Sequence, residues 1–301
     1  MKPSDDFRLV GRRMPELLSA KPCSQVKRGS IWGGRPVIAA TVLTLILGSC
    51  LCAELIMTHD PSALNLSCIN QAPNGEFYFG TDSLGRDIFS MIFYGGRISL
   101  FIGFAATLIS TFIAVSYGML AGIASEKLDD LLMRFSEIIL ALPSLLLIIL
   151  LQAVVGNTGV ISLAVVIGLT SWMTVAKIVR SEVRQLSRSE FIFAARAMGG
   201  GFYYLLRRHF WPNLLPAIMF MLVTNVSSAI ASEATLSFLG IGLPVEVISW
   251  GSMLSMADRA LLTNCWWVIV IPGLFLVTTL VCLADIGNYL RKSTNMRDSY
   301  L

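Results

Sequence analysis

The sequence predicts an all-α polytopic membrane protein with six transmembrane helices and both termini cytoplasmic. Three observations predict this. Hydrophobic residues make up 55% of the 301-residue chain and charged residues only 14%. The apolar residues fall in runs of about 20, enough for a helix to cross a hydrocarbon core. Lysine and arginine gather in alternate connections, as the positive-inside rule requires. The length alone would accommodate two soluble domains, but apolar runs of this length override that reading.

Residues 1–35 are polar and basic, with Lys2, Arg8, Arg12, Arg13, Lys21, Lys27, Arg28 and Arg35 against Asp5, Asp6 and Glu16. They read as a cytoplasmic tail that sets orientation, ahead of lipid or nucleic-acid binding. No small-residue cleavage site closes the next apolar run, so residues 36–56 read as a retained first span rather than a signal peptide. Residues 57–96 form a long extracytoplasmic loop. Within it, Phe79-Gly80-Thr81-Asp82-Ser83-Leu84-Gly85-Arg86-Asp87 combines turn-forming residues with opposed charges. A calcium loop is the competing reading of its acids, disfavoured because the EF-hand spacing and closing Glu are missing.

Residues 98–124 form the second span, long enough to tilt. Glu126, Lys127, Asp129 and Asp130 mark a short inner turn. Residues 131–155 form the third span, which Pro143 should kink. Arg134 and Glu137 share one face near its inner end at i, i+3. Charges in a span usually face protein or water, so this pair reads either as a structural pair at the start of the helix or as a substrate contact. After a tight outer turn at 156–159 comes the fourth span, 160–179. The inner loop, 177–211, carries Lys177, Arg180, Arg184, Arg188, Arg196, Arg207 and Arg208 against Glu182 and Glu190. Residues 212–236 form the fifth span. Glu233, near its outer end, either faces a translocation path or pins a neighbouring helix. The outer segment 243–264 leads to the sixth span, 265–289. Trp250, Trp266 and Trp267 suit an interfacial belt. Arg291, Lys292 and Arg297 end the chain inside.

The six cysteines are Cys23, Cys50, Cys52, Cys68, Cys265 and Cys282. Cys50 and Cys52 form C-x-C in an apolar run, which reads as small buried side chains rather than a metal site. Cys68 and Cys265 both fall outside the membrane, where a disulfide between them is allowed.

The inner loop has its own punctuation. After Ser189, the run Glu190-Phe191-Ile192-Phe193-Ala194-Ala195-Arg196-Ala197-Met198 is rich in helix formers. Gly199, Gly200 and Gly201 end that helix, because glycine enters left-handed backbone space without a steric penalty. Residues 202–210 supply a second short helix with Arg207, Arg208 and His209 at its end, where cations suit the helix dipole. Pro212 stops it and sits in the first turn of the next helix.

This stretch resembles the EAA loop of ABC-importer permeases, whose pattern is Glu-Ala-Ala, three residues, then Gly. Ala194, Ala195 and Gly199 match it, and Arg208, His209, Trp211, Pro212 and Asn213 match its tail. Phe193 stands where the pattern has Glu, while Glu190 matches an acid common in the peptide and nickel branch. The outer segment resembles the second, "C"-type, permeases of the oligopeptide, dipeptide and nickel group at Thr81, Asp82, Gly85, Arg86 and Asp87. That match continues through Gly95, Gly96, Arg97, Ser99 and Leu100. The stretches around Glu233-Ala234 and Ser249-Trp250-Gly251 resemble further segments of the same group. Gly287-Asn288-Tyr289-Leu290-Arg291-Lys292 departs from its usual Gly-Asp-x-Leu-Arg-Asp.

The resemblance implies a type I ABC-importer permease fold in a bacterial cytoplasmic (inner) membrane, with a five-helix core over 97–290 and a cytoplasmic tail at 291–301. It implies inward transport of oligopeptides or dipeptides, with nickel or a nickel–chelator complex as the alternative. It also implies four kinds of partner: a homologous second permease, two ABC ATPase subunits, an extracytoplasmic substrate-binding protein and membrane lipid. ATP and magnesium are expected on the ATPases, and no cofactor or metal on this chain. Glu190, Phe193, Ala194, Ala195, Gly199, Gly200, Gly201, Arg207, Arg208 and His209 become ATPase-coupling residues. Loss of the acid at 193 alters one polar contact and leaves docking in place.

Other classes lack their signatures. The chain has no P-loop, no His-Glu-x-x-His and no Gly-x-Ser-x-Gly. His59 and His209 are its only histidines and read as loop residues. A membrane enzyme is therefore disfavoured, and no nucleic-acid partner is expected. A stand-alone channel or ion-coupled carrier would need a polar stripe or an inverted repeat, and neither is evident.

Overall fold

The computed structural model describes residues 36–156, 159–244 and 246–298. The expected basic tail at 1–35, with Cys23, and residues 299–301 lie outside the described residues. Regular structure among the described residues is helical, apart from one isolated bridge between Thr81 and Asp87. In order, the helices are α1 (Val37–Leu51), α2 (Ala53–Ile56), α3 (Ile88–Ile123), α4 (Glu126–Leu140) and α5 (Ser144–Val155). Then come α6 (Val160–Ser187), α7 (Glu190–Ala197), α8 (Phe202–Leu205) and α9 (Trp211–Phe238). The last are α10 (Trp250–Leu254), α11 (Ala257–Leu262) and α12 (Trp267–Asp298).

Among the described residues, four helices are long and apolar enough to span a membrane, and the bent pair α4–α5 makes a fifth candidate. The first predicted span appears as the 15-residue α1 followed by α2. The kink expected at Pro143 is a full break, with α4 and α5 at 88°. Proline lacks the N–H that would continue the ladder and pushes Leu142 away from helical geometry.

Several helices outrun the apolar runs that announced them. α3 begins at Ile88 rather than 98, because Asp87 caps it: the carboxylate accepts from the N–H groups of Phe89 and Ser90. Gly95 and Gly96 do not interrupt it. A Cβ at Gly96 would lie 2.5 Å from Cys50 Sγ and 2.8 Å from the Trp250 ring, so glycine there permits close packing. α6 continues through Arg180 and Arg184 to Ser187, and α12 runs to Asp298.

α3 is the spine of the bundle and packs along α6. Gly118 and Gly122, spaced as G-x-x-x-G, let the two backbones approach. A Cβ at Gly118 would stand 2.6 Å from the Ala176 carbonyl oxygen, and one at Gly122 2.7 Å from Val183 Cβ. Gly168 of α6 does the same against α3. Such small-residue contacts hold helices together in lipid, where apolar burial between helices gains little. Large apolar side chains such as Leu45, Phe112 and Val154 meanwhile point outward.

Cys50 is buried as expected, but Cys52 is exposed, and two of the three tryptophans do not sit in a belt. Cys68 and Cys265 are both free thiols, so they do not pair. Trp250 is fully buried, with its indole N–H donating to the Ile92 carbonyl at 3.0 Å. Trp267 is also buried and donates to the Thr81 carbonyl at 3.1 Å. Only Trp266 of the three is exposed in the manner of a belt.

Overpacking a tight helix contact destabilises by about 1–3 kcal/mol. Gly122→Val is therefore expected to lower the thermal midpoint of the detergent-purified protein. Gly48→Ala, whose added Cβ meets nothing within 4 Å and whose helix propensity is higher, is expected not to lower it. Equal midpoints for the two variants would remove the glycine contact from this account.

Candidate functional site

The inner loop grows directly out of α6. After Ser187, Arg188 and Ser189 turn the chain, and Glu190 opens the eight-residue α7. Ile192 and Ala195 bury themselves in the inner core with Val183, Leu205 and Phe210. The opposite face stays open: Phe193 is 59% exposed and Met198 82%. Glu190, Ala194, Arg196, Arg207 and Arg208 are exposed as well. Among the described residues, none of the four charged residues in this set makes an ion pair.

The three glycines have three different jobs. Gly199 has φ +85° and donates to the Arg196 carbonyl at 2.9 Å, while Gly200 donates to the Ala195 carbonyl at 2.9 Å. This is a Schellman closure with glycine at the left-handed position. Gly200 has an ordinary φ, but a Cβ there would lie 2.6 Å from the Ala195 carbonyl oxygen. Gly201 has open space around it.

The expected stop at Pro212 is absent. α8 passes through a π-helical turn, Leu206–Phe210, straight into α9, so one helix runs over Tyr203–Phe238. Pro212 has no N–H, and its ring would collide with the Arg208 carbonyl in a regular α-helix. The turn widens instead, and the Trp211 N–H reaches the Leu206 carbonyl. Arg207, Arg208 and His209 ride on this widened turn. The His209 ring packs 5.9 Å from Phe191 and 5.7 Å from Tyr204, joining α7 to α8.

The outer motif is a folded knot rather than an open site. Asp82 accepts from the backbone N–H groups of Leu84 and Arg86, both at 2.9 Å, and from Arg86 Nε at 2.8 Å. Arg86 Nη2 reaches Met256 Sδ at 3.3 Å. Asp87, besides capping α3, accepts from Ser90 Oγ at 2.6 Å and Thr58 Oγ1 at 2.9 Å. Thr81 Oγ1 accepts from the Gln71 N–H at 2.8 Å. Gly85 is left-handed, and any Cβ there would collide with the Asn65 backbone. Thr81, Asp82, Arg86 and Asp87 are all buried.

Glu233 is fully buried on α9. Its Oε2 accepts from Ser99 Oγ of α3 at 2.9 Å. Its Oε1 accepts from Ser237 Oγ at 2.9 Å and from Ser249 Oγ, the cap of α10, at 2.8 Å. This geometry is that of a residue pinning three helices.

The Arg134–Glu137 pair does not form. Both side chains are exposed, and Glu137 Oε1 instead pairs with Lys177 Nζ of α6 at 3.2 Å. At i, i+3 the two side chains share a face, but Lys177 offers Glu137 a cation across the helix interface. The buried acid at this end is Asp129, expected in a short inner turn and found instead on α4. Arg180 grips both of its oxygens, and Arg184 Nη2 lies 2.6 Å from Oδ2. The i, i+4 arginines on one face of α6, opposite a short acidic turn, were the available signal.

A non-glycine residue in left-handed geometry costs about 1–2 kcal/mol, a factor of roughly 5–30 in local opening. Trypsin should therefore cut Gly199→Ala at Arg196 several-fold faster than wild type in inside-out vesicles. Gly201→Ala should be cut at the wild-type rate. Matching rates for both variants would refute the division of labour among the glycines.

Comparison with known proteins follows the same lines. The family model described as the binding-protein-dependent transport system inner membrane component matches residues 114–292. The oligopeptide transport system permease protein OppC of Bacillus subtilis (strain 168) is 35% identical over 255 residues, covering 85% of this chain and 83% of that one. The dipeptide transport system permease protein DppC of the same strain is 33% identical over 250 residues, covering 83% and 78%. OppC of Escherichia coli (strain K12) is 35% identical over 264 residues, covering 87% of each. Inward-facing MetNI, a methionine ABC transporter, aligns with a TM-score of 0.56 over 68% of this chain and 96% of that chain. At 18% identity that likeness shows the shared fold. The chain therefore belongs to the multi-pass inner membrane components of binding-protein-dependent transport systems, the ABC-importer permeases, in the branch that includes the oligopeptide and dipeptide permeases.

Proposed function

We propose that this chain is the transmembrane permease subunit of an ATP-driven importer for oligopeptides or dipeptides. It works with a homologous second permease, two ABC ATPase subunits and an extracytoplasmic substrate-binding protein. In this reading α1–α2, α3, α4–α5, α6, α9 and α12 are six spans, and both termini are cytoplasmic. The permease names of its relatives support the cargo class.

The observation that carries the reading is the open face of α7. Phe193 and Met198 are exposed there, while Ile192 and Ala195 anchor the helix from behind. An exposed apolar patch beside unpaired cations, where the chain is expected to meet water, is a docking surface. With Phe193 in place of the family's acid, the central contact is apolar. ATP binding closes the ATPases, and α7 passes that motion into α6 and α9. The energy of ATP binding drives transport only as far as it favours one permease conformation over the other.

The direct test is ATPase activity of the reconstituted complex with its binding protein, loaded in turn with mixed peptides and with nickel plus a small chelator. Stimulation by peptide alone is expected. Stimulation by the nickel complex alone would overturn the cargo. A purified chain that brings no ATPase with it would overturn the permease assignment. Truncating or charging an interface anchor typically costs about 2 kcal/mol, roughly 30-fold in affinity. Phe193→Glu is accordingly expected to weaken ATPase co-purification by that order, and unaltered assembly would count against an apolar contact.

A further inference from the structure

α4 is attached to the bundle by very little apolar burial. Of its 15 residues, Asp129, Met133 and Ser136 are the buried ones, a single line at i, i+4 and i+7. Leu131, Phe135 and Ile138 face outward. Most of what holds α4 is polar: the Tyr117 hydroxyl of α3 donates to the Leu132 carbonyl at 2.6 Å, and the links to α6 are charged. Asp129 is fully buried between Arg180 and Arg184 of α6. Two turns on, Glu137 meets Lys177. The order of these pairs makes α4 antiparallel to the inner end of α6.

The two ends of this unit differ. At one end, Ala141, Leu142 and Pro143 separate α4 from α5 across the 88° break. At the other, Arg184 stands three residues before the last residue of α6, about 4.5 Å of helix rise, and α7 follows after Arg188 and Ser189. A displacement of α7 therefore reaches Arg184 almost at once.

We propose that Asp129 is a positioning residue for transport: through Arg180 and Arg184 it makes α4 move as one body with the inner end of α6 and with α7, hinged at residues 141–143. The proposal rests on the reading of α7 as the ATPase-docking helix. The two ion pairs are unequal. Glu137 is exposed and Lys177 half-buried, and pairs open to solvent contribute little. Asp129 is fully buried with two half-buried arginines on it, so removing the acid takes away the single group that joins both of them to α4. The clamp at Asp129, not the outer pair, carries the coupling.

The test uses the full complex in proteoliposomes, with the native cysteines replaced and spin labels at Phe135 on α4, Gln185 on α6 and Leu150 on α5. In the wild-type background, ATP is expected to leave the 135–185 distance unchanged and to change the 135–150 distance. Asp129→Asn should broaden the 135–185 distribution. It should also cut uptake by about tenfold or more, within the usual range of coupling factors, with ATPase co-purification and basal hydrolysis retained. Asp129→Glu should restore part of the uptake, and Glu137→Gln should behave as wild type. A 135–185 distance that shifts with ATP would overturn the proposal, as would full uptake by Asp129→Asn. If Asp129→Asn fails to assemble, the wild-type distances decide alone. A wild-type complex that binds its ATPases but shows no ATP-driven uptake would overturn the transport reading, a separate failure.

Discussion

Helices surrounded by lipid gain little from packing leucine on leucine, since hydrocarbon is as apolar as the partner. That constraint shapes this bundle. The spine α3 is gripped by α6 where Gly118, Gly122 and Gly168 remove side chains and let backbones meet. Where glycines do not do this, a few polar groups do. Glu233 gathers hydroxyls from Ser99, Ser237 and Ser249. Asp129 gathers two guanidiniums. A carboxylate deprived of water must find its partners inside the protein, so each such acid fixes the relative placement of the helices that supply them.

The two acids act at opposite ends of the bundle and in different ways. Glu233 joins α9 to α3 and to the start of α10 through neutral donors, and the Trp250 backbone N–H donates in turn to Ser99 Oγ. Asp129 joins α4 to the end of α6 through full charges, one turn before α6 hands over to α7. Each end is thereby held by one fully buried acid.

The most family-specific segment of the sequence proves to be architectural. Thr81, Asp82, Gly85, Arg86 and Asp87 fold the outer loop onto the start of α3 and onto Met256 and Trp267. Thr81, Asp82, Arg86 and Asp87 direct their side chains to one another and to neighbouring groups of the loop, α3 and Met256, and all four are buried. Specific residues in a motif can thus serve the shape of a loop rather than its chemistry, and only their burial distinguishes the two.

Local properties of the chain were legible from its sequence. Apolar run length announced the long helices α3, α6, α9 and α12, and Gly199 after a helix-forming run announced the end of α7. Each depends on neighbouring residues and on the solvent around them. The helix ends were less legible, because Asp87 caps α3 ten residues before its apolar run and Arg180 and Arg184 stay helical once Asp129 meets them. The pairing of Asp129 with Arg180 spans 51 residues of chain and that of Ser99 with Glu233 spans 134. Tertiary structure alone decided these, along with the exchange of Arg134 for Lys177 as the partner of Glu137. In helices that are apolar on every side, periodicity does not say which faces abut, and a buried charge takes its partner from whichever face the packing brings near.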